Sequence, residues 1–279
     1  MRICGPVRML IGAVLALAWP AAGGVAPGRE PARTIHFAAE DWPPFVTATL
    51  ADNGWSGTVM AAVYRQLGYR TSVQYFPWKR AMELGLHDAR YAGFAPVWRT
   101  PEREKLCHFS APIGQTQTVL AYLKTAPLRP GSVAELRHLR IGSVAGYAYD
   151  GALEAMAARG QLTLEAGVND QTNLRKLLIG RYPVIVIEKH VLRHLLASKA
   201  FSAQERRRIG YSDSVFQERP VYVCFKRDAQ GRAQQRAFNE AARQLDLDKI
   251  ERDYWRRIGE ADSAPPRKPG GLHLSTQAN

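Results

Sequence analysis

Residues 91–113, YAGFAPVWRTPEREKLCHFSAPI, combine an apolar run of strand type with a loop that is rich in prolines and charges. The loop, residues 96–104, carries Trp98, Arg99 and Arg103. Arginine suits the binding of a small anion because its planar guanidinium group donates two parallel hydrogen bonds to a carboxylate. The segment therefore predicts a cation at the end of a strand, facing an anionic ligand. The alternative is a solvated loop whose arginines pair with its glutamates, as surface charges usually do.

The same segment carries the pattern of a known protein family. T-x-E-R is followed, after a short gap, by F-S-x-P, and these positions are Thr100, Glu102, Arg103, Phe109, Ser110 and Pro112. The pattern resembles the middle of the family 3 periplasmic solute-binding proteins, which serve amino-acid ABC transporters. The resemblance extends over about residues 34–259. It implies an α/β protein with the two-lobed periplasmic-binding-protein (Venus flytrap) fold, in which each lobe is a mainly parallel sheet flanked by helices.

The resemblance also divides the chain into two lobes that close on a small polar molecule. Residues 34–113 together with residues 218–260 would form lobe 1, and residues 114–217 would form lobe 2. The two crossings between the lobes, near residues 111–118 and 217–221, are expected to act as hinges, with ligand favouring the closed form.

Strand and helix patterns alternate along the first part of the chain. Strand patterns occupy residues 34–39, 70–76 and 91–95, and helix patterns occupy residues 58–67 and 78–87. This order predicts a parallel sheet, and such sheets bind ligands at the carboxyl ends of their strands. Glu40 and the loop at residues 96–103 both lie at such ends, which predicts a shared site. Trp78, on the apolar face of the second helix, belongs either to the core or to the edge of the cleft.

Residues 40–45, EDWPPF, form a loop after the first predicted strand, because successive prolines interrupt regular structure. The segment resembles the family's first loop, which lines one side of the ligand pocket. The resemblance implies that Glu40 or Asp41 faces a ligand cation and that Trp42 or Phe45 supplies a flat apolar wall. The residues alone also allow a surface turn with a half-buried tryptophan.

Residues 140–147 predict a strand and then a tight turn, before a helix at residues 150–159. Small residues at a helix N-terminus leave backbone N–H groups and the positive end of the helix dipole available to an anion. The turn resembles the family's ligand turn in the second lobe, which implies ligand contacts from Ser143, Gly146 and Tyr147. The order G-S-x-x-G differs from the G-x-S-x-G elbow of hydrolases, so it predicts no nucleophile.

Glu188 follows the fully apolar strand predicted at residues 184–187. The resemblance implies that this acid binds a ligand ammonium group. A glutamate here can also cap the helix predicted at residues 189–197, because its charge complements the helix N-terminus. The residues alone leave both roles open. His190 and His194 lie on one face of that helix without an evident third ligand, so no metal site is predicted.

Three positions depart from the family pattern. Trp98 replaces a small hydroxyl residue, Pro96 replaces a glycine, and Pro183 replaces an acid. These changes argue against an ordinary α-amino acid as the ligand. They favour a larger pocket with aromatic walls, in which Trp42, Trp98 and Tyr147 stack on a flat or cationic ligand.

The predicted function is the capture of a small polar solute, an amino acid or a related carboxylate or amine, and its delivery to an ABC transporter permease in the inner membrane. One alternative is a periplasmic dehydratase of the cyclohexadienyl type on the same fold. Another is a solute-sensing or accessory protein that works without a transporter. No catalytic residue, cofactor or metal is predicted, and a monomer is expected. Fold alone does not decide among these functions.

The chain has 279 residues and a formal net charge of +13 at pH 7. Such a charge can attract nucleic acid, an anionic surface or anionic ligands. The basic residues are spread along the whole chain, and their densest cluster, Arg206, Arg207 and Arg208, is short. This distribution predicts no nucleic-acid partner.

Both ends of the chain have the composition of segments outside the fold. A signal peptide is predicted at residues 1–24, because Arg2 and Arg8 precede a short apolar stretch, which is followed by small residues. The mature protein is therefore expected in the periplasm. Residues 261–279, which are rich in proline and glycine, are predicted to be a disordered tail.

Cys107 and Cys224 remain in the exported chain, in a compartment that is oxidising. They either form a disulfide or stay as buried thiols. A disulfide needs a specific distance and orientation of the two side chains, which the sequence does not give. The choice therefore stays open at this level.

Overall fold

The computed structural model describes residue 1 and residues 33–259, so the predicted tail and nearly all of the predicted signal peptide lie outside the described residues. In chain order, the strands are β1 (Arg33–Ala39), β2 (Tyr69–Tyr75), β3 (Gly93–Trp98), β4 (Cys107–Phe109), β5 (Gly114–Leu123), β6 (Arg140–Val144), β7 (Thr163–Gly167), β8 (Val184–Glu188), β9 (Ile209–Ser212) and β10 (Glu218–Lys226). The helices are α1 (Gly54–Gln66), α2 (Trp78–His87), α3 (Pro101–Glu104), α4 (Gly151–Ala158), α5 (Asp170–Leu178), α6 (Lys189–Ala197), α7 (Ala203–Arg208), α8 (Ala229–Arg243) and α9 (Leu247–Arg257).

Two parallel sets of strands meet at an antiparallel pair. The order across the sheet is β2-β1-β3-β10-β5-β8-β6-β7, with β4 beside β10 and β9 beside β5. β1 is parallel to both β2 and β3, and β6 is parallel to both β7 and β8. β10 and β5 run antiparallel to each other and to their other neighbours. The predicted α/β fold with two lobes is therefore confirmed.

The helices cover the two sets of strands separately. We call β1–β4 and β10, with α1–α3, α8 and α9, the first lobe; α1, α2, α3 and α8 contact its strands, and α9 contacts α1. We call β6–β9, with α4–α7, the second lobe, in which α5 contacts β6 and β8 and α7 contacts β9. β5 and β10 pair over residues 114–117 and 218–221, where the chain crosses between the lobes. These are the segments in which the sequence predicts hinges.

β3 is longer than the sequence predicts, because it continues through Pro96 to Trp98. Proline has no backbone N–H for the sheet and is tolerated at irregular positions. Here the pairing of β3 with β10 shifts between Tyr222 and Cys224, next to Pro96, and resumes at Val97. Trp98 is therefore a buried strand residue rather than part of a solvated loop.

Local hydrogen bonds explain one helix that the sequence pattern does not predict. The sequence pattern gives no sign of α7, because its AQERRR sequence lacks apolar periodicity. α7 begins with a capping box in which the side chains of Ser202 and Glu205 each accept a backbone N–H.

The last helix supports the loop that follows β1. Tyr254 of α9 donates its hydroxyl hydrogen bond to the carbonyl oxygen of Pro44, at 2.6 Å. The neighbouring Trp255 packs edge to face against Phe45, with ring centroids 5.9 Å apart. All of these side chains are buried in one hydrophobic cluster. The C-terminal aromatic pair thus fixes the loop that carries Glu40 and Trp42 towards the cleft.

Cys107 and Cys224 form a disulfide bond. β4 and β10 lie side by side, and the two Cα atoms are 5.6 Å apart, within the usual range. The bond lies in the apolar core of the first lobe and joins residues 117 positions apart in the chain. The pairing that the sequence left open is therefore present in the folded chain.

Within residues 33–259, no helix has both the length and the hydropathy that a membrane crossing requires.

Candidate functional site

Loops at the carboxyl ends of strands from both lobes meet around one small cavity. The first lobe contributes the loop after β1, the end of β3 and the beginnings of α2 and α3, and the second lobe contributes the turn after β6. The cavity has a volume of about 20 Å³ and is lined by Glu40, Trp42, Val46, Trp78, Pro96, Val97, Trp98, Arg103, Tyr147 and Val221. This space holds about one water molecule, so the cleft is closed on protein side chains.

The side chain of Tyr147 fills most of the space between the aromatic residues of the first lobe. Its ring centroid lies 6.4 Å from that of Trp42, 5.9 Å from that of Trp78 and 6.0 Å from that of Trp98, and each pair packs edge to face. We call these three tryptophans the cage. Edge-to-face packing is a favourable arrangement of aromatic rings. The cage therefore binds a flat ring, and in this structure the ring belongs to the protein itself.

Arg103 lies in this site and is buried, with 8% of its surface exposed. Its Nη1 donates to the carbonyl oxygen of Trp98 at 2.9 Å, and its Nη2 donates across the cleft to that of Gly146 at 3.2 Å. The guanidinium also lies over the Trp78 ring, 5.2 Å from its centroid. The salt bridge of this loop instead joins Arg99 to Glu104. Burial, together with the nearby Arg219, lowers the pKa of Arg103 to about 10.

The groups of the second-lobe turn that contact the arginines are carbonyl oxygens. The Gly146 carbonyl accepts a second hydrogen bond from Nε1 of Trp78, at 2.8 Å. The carbonyl of Ala148 accepts one from Nη1 of Arg219, at 3.1 Å, and this guanidinium lies over the ring of Trp98. Arg103 and Arg219 thus place two cations against one short turn. The carbonyl oxygens of the turn accept hydrogen bonds from both guanidinium groups. A ligand carboxylate would form stronger hydrogen bonds with them, because it carries a full negative charge.

Several of the backbone N–H groups that the sequence predicts to be free at this turn have partners within the second lobe. The carboxylate of Asp150 caps α4 by accepting from the N–H groups of Ala152 and Leu153. The hydroxyl of Tyr149 accepts from Val144 N, at 2.6 Å. An N-cap aspartate satisfies the donors that would otherwise receive an anion. Asp150 thus occupies two N–H groups at the start of α4, and anion binding at this helix N-terminus stays a prediction. The cations that contact the turn are Arg103 and Arg219.

Two carboxyl groups lie near the Tyr147 side chain, whereas the arginines contact backbone carbonyls of its neighbours. The Tyr147 hydroxyl donates to Oε2 of Glu40 at 2.7 Å, and Nε1 of Trp42 donates to Oδ2 of Asp170 at 3.2 Å. Burial raises the pKa of Glu40 to about 7. Burial and the charge of Glu40 raise the pKa of Asp170 to about 7. A cation or a hydrogen-bond donor in this region would stabilise both carboxylates.

Four of the predicted site residues are not among those that line the cavity, and one of them, Gly146, contacts the lining residues Trp78 and Arg103 through its carbonyl oxygen. Asp41 is exposed, and the Ser143 carbonyl accepts from Nδ2 of Asn173 inside the second lobe. Glu188 caps α6: its Oε2 accepts from Val191 N at 2.9 Å, and its Oε1 accepts from Gln117 N at 3.1 Å. The structure therefore assigns Glu188 the capping role that the sequence left open, and its contact with a ligand stays a prediction.

Sequence reasoning missed Asp170 and Arg219 and left Trp78 undecided. Asp170 follows the carboxyl end of β7, so the rule that ligands bind at strand ends would have selected it. Arg219 lies in a crossing segment, which has no local pattern of a binding site. Trp78 lines the cavity and also packs in the core of the first lobe, so both of its proposed roles apply.

Lowering the pH is expected to stabilise the fold through Asp170. Its pKa is about 7 in the folded protein and 3.8 for an ordinary aspartate, so the folded state keeps a proton that the unfolded state has released. The stability therefore falls as the pH rises from about 4 to about 7 and is constant above that. Replacing Asp170 with asparagine should remove on the order of 2 kcal/mol of the stability difference between about pH 5 and about pH 8.

Urea unfolding of wild type and Asp170→Asn at several pH values measures this effect. Asp41→Asn is the matched control, because Asp41 is exposed and close to the same cleft. This variant removes a charge beside Glu40 but leaves Asp170 in place, so most of the wild-type pH dependence should remain. An Asp170→Asn protein whose stability varies with pH as the wild type does would show that Asp170 is not the group responsible.

The sequence matches a known family over most of its length. The profile of the bacterial extracellular solute-binding proteins, family 3, matches residues 35–256. No curated protein matches the chain.

Solved structures share the fold at low sequence identity. An ancestral arginine-binding protein bound to glutamine has a TM-score of 0.65 and 17% identity, and the match covers 80% of this chain and 97% of that one. A structure on glutathione import in Streptococcus mutans, through GshT and the cystine ABC importer TcyBC, has a TM-score of 0.66 and 20% identity, with 80% and 94% covered. The ancestral amino acid-binding protein AncCDT-1, a precursor of cyclohexadienyl dehydratase, has a TM-score of 0.61 and 14% identity, with 80% and 94% covered.

These structures agree with the chain in fold, and the family profile covers the strands of both lobes and the residues that line the cavity. The chain belongs to the bacterial extracellular solute-binding proteins, family 3.

Proposed function

We propose that this protein is a periplasmic solute-binding protein that captures a small polar solute between its lobes and delivers it to an ABC transporter permease. The solute is an amino acid or a related carboxylate or amine. The observation that carries the proposal is the separation of charge in the cleft. Arg103 and Arg219 contact the backbone carbonyls of the residues on either side of Tyr147, whereas Glu40 accepts from the Tyr147 hydroxyl and Asp170 lies close to Glu40. This arrangement is complementary to a solute with an anionic and a donor or cationic end.

The connection between the lobes supports this proposal. Only a cavity of about 20 Å³ is open in the closed cleft, so a solute enters when the lobes separate. The paired segments of β5 and β10 that join the lobes are suited to act as the hinge. Two of the similar structures are described as an ancestral arginine-binding protein bound to glutamine or to arginine, which is consistent with a solute that carries both charges.

A thermal-shift screen of the purified protein against amino acids, polyamines and organic acids tests the proposal, with mass spectrometry of any solute that co-purifies. We expect one class of solute to raise the melting temperature. Cells that lack this protein should then lose high-affinity uptake of the labelled solute. Binding without any change in uptake would contradict the transport role and favour a sensing or accessory protein.

A second candidate function is a dehydratase of the cyclohexadienyl type. Glu40 favours it, because a carboxyl group with a pKa of about 7 faces a hydroxyl group inside an aromatic cage. A carboxylic acid with a pKa near the working pH can donate its proton to a leaving hydroxyl group, which departs as water while the ring carboxylate leaves as carbon dioxide and its bonding electrons make the ring aromatic. AncCDT-1, described as a precursor of such an enzyme, shares the fold.

Incubation of the protein with prephenate separates the second candidate from the first. A dehydratase should form the aromatic product, and Glu40→Gln should abolish this activity because an amide cannot donate the proton. Binding of prephenate without product would exclude the enzymatic role for this substrate.

A further inference from the structure

The dipeptide of Gly146 and Tyr147 occupies the cleft in the way that a bound molecule would. The carbonyl oxygen of Gly146 accepts hydrogen bonds from Arg103 at 3.2 Å and from Trp78 at 2.8 Å. The Tyr147 ring lies within the cage, and its hydroxyl donates to Glu40 at 2.7 Å. One short piece of chain thus supplies an acceptor to the arginine, a flat ring to the tryptophans and a donor to the acid.

This dipeptide lies at the edge of the second lobe rather than in its core. Gly146 is exposed, with a φ of 80° that suits glycine in a turn, and Tyr147 is partly exposed. The turn around it is held by its own bonds, from Ala145 N to the Gly167 carbonyl and from Val144 N to the Tyr149 hydroxyl. Gly146 and Tyr147 can therefore leave the cleft while the second lobe stays folded.

Two of the three walls of the cage, Trp98 and Trp42, are held by residues outside the dipeptide. Nε1 of Trp98 donates to the hydroxyl of Thr116 at 2.8 Å, within the segment where the lobes join. The ring of Trp42 stacks on Phe45, with centroids 4.7 Å apart. Removing the tyrosine ring thus leaves a preformed apolar slot with an arginine at one end and an acid at the other. Sites of this kind bind ligands that match their polar groups.

We propose that Gly146 and Tyr147 form a built-in pseudo-ligand, and that the solute that replaces them is a carboxylic acid with a flat ring and a hydroxyl or amino group at the far end of the ring. This inference rests on the proposed function and specifies its solute. The carboxylate takes the place of the Gly146 carbonyl beside Arg103, the ring enters the cage, and the donor binds Glu40.

Each part of this solute replaces a contact that the dipeptide makes in the cleft. Arg103 forms a stronger hydrogen bond with a carboxylate than with a peptide carbonyl, because both partners are charged. A ring without a donor would leave the buried carboxyl of Glu40 without its partner, which is costly. An aliphatic solute would lose the ring contacts with the tryptophans. The pseudo-ligand also competes with every solute for the cleft. The more tightly it binds there, the lower is the apparent affinity of the protein for the solute.

Para-cresol and the Tyr147→Ala variant test the cage directly, since cresol carries the ring and hydroxyl of the deleted side chain. The variant should bind cresol, and about tenfold more tightly than toluene, which lacks the donor for Glu40. Wild type, whose cage is filled, should bind neither compound measurably by calorimetry. A folded Tyr147→Ala protein that does not bind cresol, or a wild type that binds it as well as the variant, would overturn the proposal.

Tyr147→Phe tests the competition and preserves the ring, so it also serves if the alanine variant does not fold. The phenylalanine loses only the hydrogen bond to Glu40. Para-hydroxyphenylpropionate should therefore bind this variant about tenfold more tightly than wild type. Phenylpropionate, which has no hydroxyl, should bind both proteins more weakly. Tyr211→Phe is the matched control: Tyr211 is exposed on β9, and its replacement should leave the affinity unchanged. Equal affinity of wild type and Tyr147→Phe would exclude a pseudo-ligand.

The outcomes also separate this inference from the proposed function. If cells import a non-aromatic solute through this protein and no ring acid binds either Tyr147 variant, the pseudo-ligand is wrong and the transport role stands. If ring acids bind Tyr147→Phe more tightly but cells without the protein import them normally, the pseudo-ligand stands and the transport role is wrong.

Discussion

Replacing Arg103 with alanine is expected to weaken solute binding by about 30-fold or more. Arg103 is buried, and its guanidinium donates to the carbonyl oxygen of Trp98 in its own lobe and to that of Gly146 in the other lobe. A solute carboxylate in this position would be desolvated, and removing its charged partner would leave it buried and unpaired. Losses of this kind typically cost about 2–5 kcal/mol, which corresponds to about 30-fold or more in the dissociation constant.

Calorimetry with the solute found by the thermal-shift screen measures the effect. Arg103→Lys should recover only part of the affinity, because an ammonium group does not form two parallel hydrogen bonds with a carboxylate. Arg99→Ala is the matched control. Arg99 lies in the same loop, but its half-exposed side chain pairs with Glu104, so its removal should change the affinity by less than about threefold. If circular dichroism shows an intact fold and Arg103→Ala binds as well as wild type, Arg103 does not contact the solute.

Loss of the Cys107–Cys224 disulfide is expected to lower the free energy of unfolding by about 2–5 kcal/mol. The bond joins residues 117 positions apart, so it restricts a long segment of the unfolded chain. It also links β4 to β10, the strand that returns the chain from the second lobe. Because the stability of a domain is typically only about 5–15 kcal/mol, this loss would be a large fraction of the total.

Urea unfolding of the oxidised protein and of the double variant Cys107→Ala/Cys224→Ala measures this difference. Each cysteine is almost fully buried, so the two alanines also leave small cavities. Wild type in a reducing agent is the control that keeps both sulfur atoms and breaks only the bond. It should lose most of the same stability. A reduced wild type that is as stable as the oxidised protein would show that the disulfide is not a stabilising element.

The two predictions concern different parts of the first lobe. The disulfide lies in the apolar core and joins β4 to β10, whereas Arg103 lies in α3, the short helix that follows β3, beside the cleft. The Arg103→Ala variant should therefore bind the solute more weakly. Its free energy of unfolding should change only by the loss of the contacts that the Arg103 side chain makes. The disulfide variant should bind with nearly unchanged affinity where it is folded.

The sequence predicts the parts of this protein that depend on local patterns. Apolar spacing predicts helix α2 at Trp78–His87 and helix α6 at Lys189–Ala197 with the bounds that the structure has. The T-x-E-R pattern selects Arg103, and the charged loop after a strand explains why a cation lies there. The prolines after Glu40 predict a loop at the end of β1. In each case a few neighbouring residues carry the information, because backbone preferences and helix or strand periodicity act over short distances.

Only the tertiary structure decides how the site is filled. Trp42 and Asp170 are 128 positions apart in sequence, and Tyr147 is 107 positions from the glutamate that accepts its hydroxyl hydrogen bond. No local pattern relates such residues. The sequence also predicts free N–H groups at the second-lobe turn, but Asp150 occupies two of those at the start of α4, and the turn faces Arg103 with a carbonyl oxygen. Tyr147 is predicted as one wall of a pocket; in the folded chain it is the ring that the other walls enclose, because closure of the two lobes brings the cage around it.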